Sequence, residues 1–171
     1  MAIINFEFKA RAENAGELEQ KLRGLEPKFV GEDHQIDTYF NVKHGRLKLR
    51  EGNIENSLIH YDRADLADAK ESAILLYEHS PNADLKEILT KSLGIMTVVD
   101  KRRRIYFIDN VKFHFDSVAG LGSFVEVEAI DRDGSIGVGR LQEQCEHFAR
   151  FFGIGANDFI AESYSDMIKR T

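Results

Sequence analysis

Short runs in which apolar and polar residues alternate recur along the chain: INFEFKA (4–10), IDTYFN (36–41), GRLKLRE (45–51), SLIHYDRA (57–64), SAILLYEHS (72–80), TVVDKRRRIYFID (97–109), VKFHFDSV (111–118) and SFVEVEAI (123–130). A period of two predicts β-strands. Eight strands are enough to close a barrel, which removes the exposed edges that so many antiparallel strands otherwise present. Helical spacing is confined to a few places. AGELEQKLRGL (15–25) carries Leu18, Leu22 and Leu25 on one face, and NADLKEILTKSLG (82–94) carries Leu85, Ile88 and Leu89. SIGVGRLQEQCEHFARFFG (135–153) has a stripe of Leu141, Cys145, Phe148 and Phe152, and a last short helix is predicted over 162–170. The first helix stops near Gly24 and Pro27, the second at Gly94. Hairpins with intervening helices make this an α+β chain rather than a regular βαβ alternation: an eight-stranded antiparallel β-barrel with helices packed outside.

The polar faces of these strands are unusually ionic. Side chains two apart share a face, so Asn5, Glu7 and Lys9 point together while Phe6 and Phe8 point oppositely. The same parity sets Arg46, Lys48 and Arg50 against Leu47 and Leu49. It also sets Lys112, His114 and Asp116 against Val111, Phe113 and Phe115, and Glu126 and Glu128 against Val125 and Val127. Two arrangements satisfy this pattern. Either the ionic faces look at solvent over an apolar core, or helices cover the apolar faces and the ionic faces line a lumen. In the second case carboxylates suit a hard divalent cation, while Lys and Arg neutralise phosphate oxygens. Spacing alone does not choose between them.

Composition narrows the function classes. The 171 residues, 43% hydrophobic, predict one domain over residues 1–171. A formal net charge of −6 argues against a nucleic-acid or anionic-membrane surface, so any phosphate site is local. Cys145 is the only cysteine, which excludes an intramolecular disulfide or a cysteine-built zinc site and fits a reducing compartment. The first residues lack the apolar stretch of a signal peptide, and the expectation is a cytoplasmic protein.

The pieces FEFKA, DTYF, GRLKLRE, LIHYDRAD, VVDKRRRIYF, FHFDSVAGLGSFVEVEAI and ESYSDMIK, in this order over nearly the whole chain, resemble the CYTH superfamily. Its members share a triphosphate tunnel and include class IV adenylyl cyclases, thiamine triphosphatases and inorganic triphosphatases. The most specific part of the likeness is GRLKLR together with Asp116–Gly122 and Phe-Val-Glu-x-Glu. The resemblance implies that Glu7, Asp116, Glu126 and Glu128 hold Mg²⁺ or Mn²⁺. It implies that Lys9, Lys48, Arg50, Arg63, Lys101 and Arg103 bind the triphosphate, with Lys112 and Lys169 as weaker candidates. It further implies that Lys9, Arg50, Arg63 and Arg103 carry the catalytic role. Asn5 departs from the pattern, since a carboxylate is expected there, and it removes one negative charge from the metal site.

The implied activity is conversion of ATP to cyclic AMP and pyrophosphate, the ribose 3′-hydroxyl attacking the α-phosphorus. The alternative enzyme directs water at the terminal phosphorus of inorganic or thiamine triphosphate. A non-catalytic nucleotide or polyphosphate binder, motivated by Asn5, and a barrel for a small apolar ligand remain as other classes. The expected partner is a small triphosphate, with no nucleic acid and no membrane; a homodimer is compatible with the sequence.

Other features have plainer explanations. In the run Lys101–Arg104, parity groups only Lys101 with Arg103, leaving Arg102 and Arg104 to the surface. His114 is expected to satisfy a hydrogen bond. Gly134, Gly137 and Gly139 lack the context of a dinucleotide or Walker loop and are expected to open a helix. AGLGS (119–123) is expected to be a hairpin turn.

Overall fold

A computed structural model describes residues 3–62 and 70–171. The strands are β1 (Ile3–Arg11), β2 (Lys28–Phe40), β3 (Arg46–Glu51), β4 (Asn56–Asp62), β5 (Lys70–Glu78), β6 (Ile95–Ile108), β7 (Val111–Val118) and β8 (Gly122–Asp131). The helices are α1 (Ala15–Arg23), α2 (Ala83–Leu93), α3 (Val138–Phe152) and α4 (Tyr164–Lys169). The strands close into a barrel in the order β1-β5-β4-β3-β2-β6-β7-β8, every neighbouring pair antiparallel. The hairpin expected at AGLGS joins β7 to β8, with positive φ at Gly120 and Gly122. Gly137, φ 85°, opens α3 as expected.

The main apolar core lies outside the barrel, between its wall and the helices. Phe6 and Phe8 of β1, Phe113 and Phe115 of β7 and Val125 and Val127 of β8 turn outward under the α3 stripe Leu141, Cys145, Phe148 and Phe152. Phe113 meets Phe148 edge-to-face with ring centroids 4.7 Å apart, and α1 adds Leu18 and Leu22. Each fully buried side chain of this size contributes about 1.5–3 kcal/mol, so this face anchors the wall.

The first two helices stand where the spacing predicts them, but their apolar faces are not fully used. No residue of α2 is buried, and Ile88 is 60% exposed. That helix is held by the Asn82 side chain, which accepts from the Asp84 and Leu85 backbone N–H groups, and by a Lys86–Glu51 ion pair. Leu25 is exposed because α1 ends at Arg23. Leu49 is fully buried as expected of an outward apolar position, whereas Leu47 is only half-buried.

The two ends of the lumen differ. At the α4 end an aromatic and aliphatic group comprising Tyr39, Ile59, Tyr61, Val99, Val118, Phe124, Tyr164 and Met167 fills the bore. At the other end the turn between β3 and β4 folds over β2, and the exposed side chains of Glu78 and Arg132 line the cavity where it reaches the surface. Among the described residues no helix is long and apolar enough to cross a membrane.

The external core should therefore carry much of the stability. Phe113→Ala is expected to lower the unfolding free energy by about 3–5 kcal/mol in urea denaturation. A loss under about 1 kcal/mol would mean that α3 does not cover this wall.

Candidate functional site

The ionic strand faces meet inside the barrel around a cavity of about 400 Å³. Glu7 and Lys9 enter from β1, Lys48 and Arg50 from β3, Lys101 and Arg103 from β6, Lys112 and His114 from β7, and Glu126 and Glu128 from β8. Register sets opposite charges face to face: Lys9 lies across from Glu126, Arg50 from Asp37, Arg103 from Asp116 and Lys112 from Glu128. The opposite wall is less polar, with Ile59, Ile74 and Leu76 of β4 and β5.

Two carboxylates organise the cations. Asp37, fully buried, accepts a two-pronged bond from Arg50 (Nε and a terminal nitrogen, both 2.9 Å) and a bond from Lys101 Nζ at 2.7 Å, with Lys48 Nζ 3.5 Å away. Burial works to raise its pKa, yet Arg50, Lys101 and Lys48 together hold it well below the usual carboxylate range. Asp116 accepts two bonds from Arg103, at 2.7 and 2.6 Å, and one from the Tyr164 hydroxyl at 2.8 Å. Arg103 also donates to Glu126 at 3.0 Å, and His114 Nδ1 lies 3.1 Å from the same oxygen.

Desolvation acts on the amines. Burial pulls Lys101 down to about 7 in spite of Asp37, and Lys9 down to about 8 in spite of Glu126 and Asp116. Lys9 donates to the Glu162 carbonyl and sits 4.3 Å from the Tyr164 ring centroid. Burial, then the charges of Arg103 and Lys112, lower His114 to about 4, so it is neutral at pH 7. Its expected hydrogen bond is the one to Glu126, while its Nε2 is buried without a hydrogen-bond partner among the described residues.

The acidic side of the lumen has the donor chemistry of a hard cation site. Glu7 lies directly across from Glu128, a juxtaposition of like charges that costs energy unless something positive or a donor intervenes. Here the Asn5 amide donates to both, at 3.2 and 2.5 Å, and its own Oδ1 is buried without a hydrogen-bond partner among the described residues. An orphaned buried oxygen beside two carboxylates fits Mg²⁺ or Mn²⁺, which take oxygen ligands. Among the described residues no three His, Cys, Asp or Glu side chains are gathered as a ready-made metal cluster.

The structure sorts the sequence candidates accordingly. Glu7, Lys9, Lys48, Arg50, Lys101, Arg103, Lys112, Glu126 and Glu128 all line the one cavity. Asp116, expected among the metal ligands, has both oxygens engaged by Arg103 and Tyr164. Lys169 is exposed on α4, and Arg63 lies outside the described residues. Arg104 pairs outside the barrel with Glu19 at 2.5 Å, and Arg102 is exposed, as parity predicts. Asp37, Glu55 and Tyr164 were missed. Asp37 carried a readable signal, since it shares its parity with Tyr39 in the run IDTYFN; Glu55 sits in a turn, where no period exists to read.

A family model described as the CYTH domain matches residues 4–164. No curated protein matches the chain in sequence. Among solved structures, the PH1012 protein of Pyrococcus horikoshii is 26% identical with a TM-score of 0.78, the match covering 95% of this chain and 98% of that one. A candidate adenylate cyclase from Vibrio parahaemolyticus is 18% identical, TM-score 0.79, over 97% and 98% of the two chains. A candidate adenylyl cyclase from Hippeastrum with a dominant triphosphatase activity is 12% identical, TM-score 0.65, over 99% and 96%. At these last two identities the likeness is one of fold. With the family model spanning nearly the whole chain and the closed barrel carrying its charges inward, the chain belongs to the CYTH domain family.

Proposed function

We propose that the chain is a metal-dependent enzyme that binds an organic triphosphate in the barrel lumen and, as a class IV adenylyl cyclase-like protein, converts ATP to cyclic AMP and pyrophosphate. The observation that carries this reading is the burial of Lys9, Lys101 and Arg103 in one cavity beside carboxylates. Buried ion pairs are weak sources of stability, and well-packed apolar residues would serve a mere scaffold as well or better. A lumen that retains them is suited to a polyanion. Lys9, Lys48, Arg50, Lys101, Arg103 and Lys112 are matched charge for charge by Glu7, Asp37, Glu55, Asp116, Glu126 and Glu128. A triphosphate therefore enters an almost neutral space and is best accompanied by divalent cations.

Glu7, Glu126 and Glu128, with Asn5 Oδ1, are the groups suited to hold that metal; Asp116 instead fixes Arg103. A bound divalent cation supplies charge neutralisation and polarisation at the phosphoryl oxygens. Arg103, held by Asp116, which the Tyr164 hydroxyl fixes in turn, presents a preset guanidinium to phosphate oxygens, and Lys9 and Lys101 neutralise charge on the leaving pyrophosphate. The wall of Ile59, Ile74 and Leu76 offers an apolar surface to the organic group. One observation favours hydrolysis as a second reading: the unpartnered Nε2 of neutral His114 would accept a hydrogen bond from a water, directing it at the terminal phosphorus. Cytoplasmic location is part of the proposal.

Purified protein incubated with ATP, thiamine triphosphate or inorganic triphosphate and Mg²⁺ or Mn²⁺, with cyclic nucleotide and free phosphate assayed separately, tests these readings. Cyclic AMP supports the first and phosphate the second. Turnover of none of the three overturns the enzyme assignment.

Arg103→Lys keeps the charge facing Asp116 but loses the fork, so triphosphate affinity should fall about tenfold or more in isothermal titration on folded protein. An unchanged affinity would remove Arg103 from the phosphate site. Lys101 gives a pH signature. Because burial lowers its pKa to about 7, an arriving phosphate raises it again, and binding between about pH 7 and 8 should take up a proton. Affinity should decline as pH rises through this range, and titrations in buffers of different ionisation enthalpy should reveal the uptake, which Lys101→Met reduces, most clearly near pH 7, where Lys9 at about 8 is already mostly charged.

A further inference from the structure

The turn Gly52–Glu55 is built to place a carboxylate inside the lumen. Asp33, fully buried on β2, has no cation within hydrogen-bond reach among the described residues. It accepts the backbone N–H groups of Asn53 (2.7 Å), Ile54 (2.9 Å) and Glu55 (2.9 Å), and the Gln35 amide at 2.8 Å. Gly52 lets the turn close on it, since a Cβ there would stand 2.6 and 2.7 Å from the two Asp33 carboxylate oxygens. Ile54 seats against Gly31 at the β2 bulge, where a Cβ would stand 2.7 Å from its Cδ1. The turn is thus docked through consecutive residues, and the one after Ile54 reaches inward. Glu55 forms an ion pair with Lys112 and accepts from Arg50 at 3.1 Å and from Gln35 at 3.0 Å. Nothing in the closure of the barrel requires this: Arg50 is already paired on Asp37.

The position matters for a chain-like anion. Lys9 and Lys101 lie deep beside Tyr164, whereas Glu55, with Arg50 and Lys112, stands toward the end where the cavity reaches the surface. Resting on the phosphate reading above, we propose that Glu55 is a built-in counter-anion that limits the length of the phosphate chain the tunnel accepts. By occupying Lys112 and one edge of Arg50, it withholds from the ligand the cations that a further phosphate would need, and it repels that phosphate. The deeper cations remain for the triphosphate itself.

The test compares inorganic tripolyphosphate and tetrapolyphosphate by isothermal titration at fixed Mg²⁺, with the wild type and Glu55→Gln. Glu55→Gln removes the charge while nearly preserving shape and releases Lys112 and Arg50. The ratio of tetrapolyphosphate to tripolyphosphate affinity should rise about tenfold or more, the scale of one charge-assisted contact. Adding Lys112→Gln to that variant should cancel most of the gain. Glu55→Asp, which keeps the charge on the turn but withdraws it by one methylene, should shift the ratio the same way by less, and it serves where Glu55→Gln does not fold. A folded variant that binds tripolyphosphate with an unchanged ratio, even with a lowered Tm, makes Glu55 a brace of the turn only and overturns the inference while leaving the phosphate site intact. A wild-type protein that binds neither anion overturns the phosphate reading and the inference with it.

Discussion

Charge inside a closed barrel must be paired or hydrogen-bonded, and that constraint governs the rest of the architecture. An eight-stranded barrel is just wide enough for side chains to fill, and here much of the filling is ionic. An unpaired lysine or carboxylate in such a space would lose its charge or destabilise the fold. Antiparallel register answers this by setting Arg50 across from Asp37 and Arg103 across from Asp116, each pair joined by a two-pronged bond. Shifting either strand by one residue would send its charges to the apolar outer face, so the pairing also fixes register.

With the middle and the open end of the lumen given over to charge, the apolar core has to lie elsewhere. It lies outside β1, β7 and β8 under α3, and in the aromatic stopper beneath α4. The outer face of β5 is less covered: Leu75 is 55% and Tyr77 67% exposed. The barrel is therefore braced from one side, and the side that is braced contributes Lys9, Arg103's partner Asp116, Glu126 and Glu128. Rigid support falls where charges must be held against one another at close range.

This division explains what could be read from the sequence. Period-two alternation gave the eight strands and, by parity, which charges face inward, because a strand has only two faces. The α3 stripe was equally legible, since Leu141, Cys145, Phe148 and Phe152 meet a single wall. The α2 spacing gave the helix correctly but not its burial, since Leu85, Ile88 and Leu89 share a face on a helix that the fold leaves largely at the surface. Parity says which face a charge occupies and nothing about its partner there. Asp116 thus read as a metal ligand from the family likeness, although the register hands it to Arg103, and Asn5 read as a missing charge, although its amide bridges Glu7 and Glu128. Glu55 and Asp33 act through a turn and its backbone, where side-chain periodicity is silent.

Because Lys48, Arg50, Lys101, Arg103 and Lys112 each already have a carboxylate, and Lys9 a backbone carbonyl, binding a phosphate chain is largely an exchange of anions rather than the filling of an empty charge. Which carboxylates can yield then decides what binds. Asp37 and Asp116 stand on strands, fully buried, each gripped from two or more directions; displacing them would strand charges in the interior. Glu126 and Glu128 are 23% and 18% exposed and can turn toward water or a cation at lower cost. The first pair accordingly sets the positions of Arg50, Lys101 and Arg103 in the absence of ligand. The second group carries the charge that has to be neutralised, shared with a metal or pushed aside when a polyanion arrives. Preorganised cations with adjustable carboxylates let one lumen be stable when empty of substrate and still accept a highly charged one.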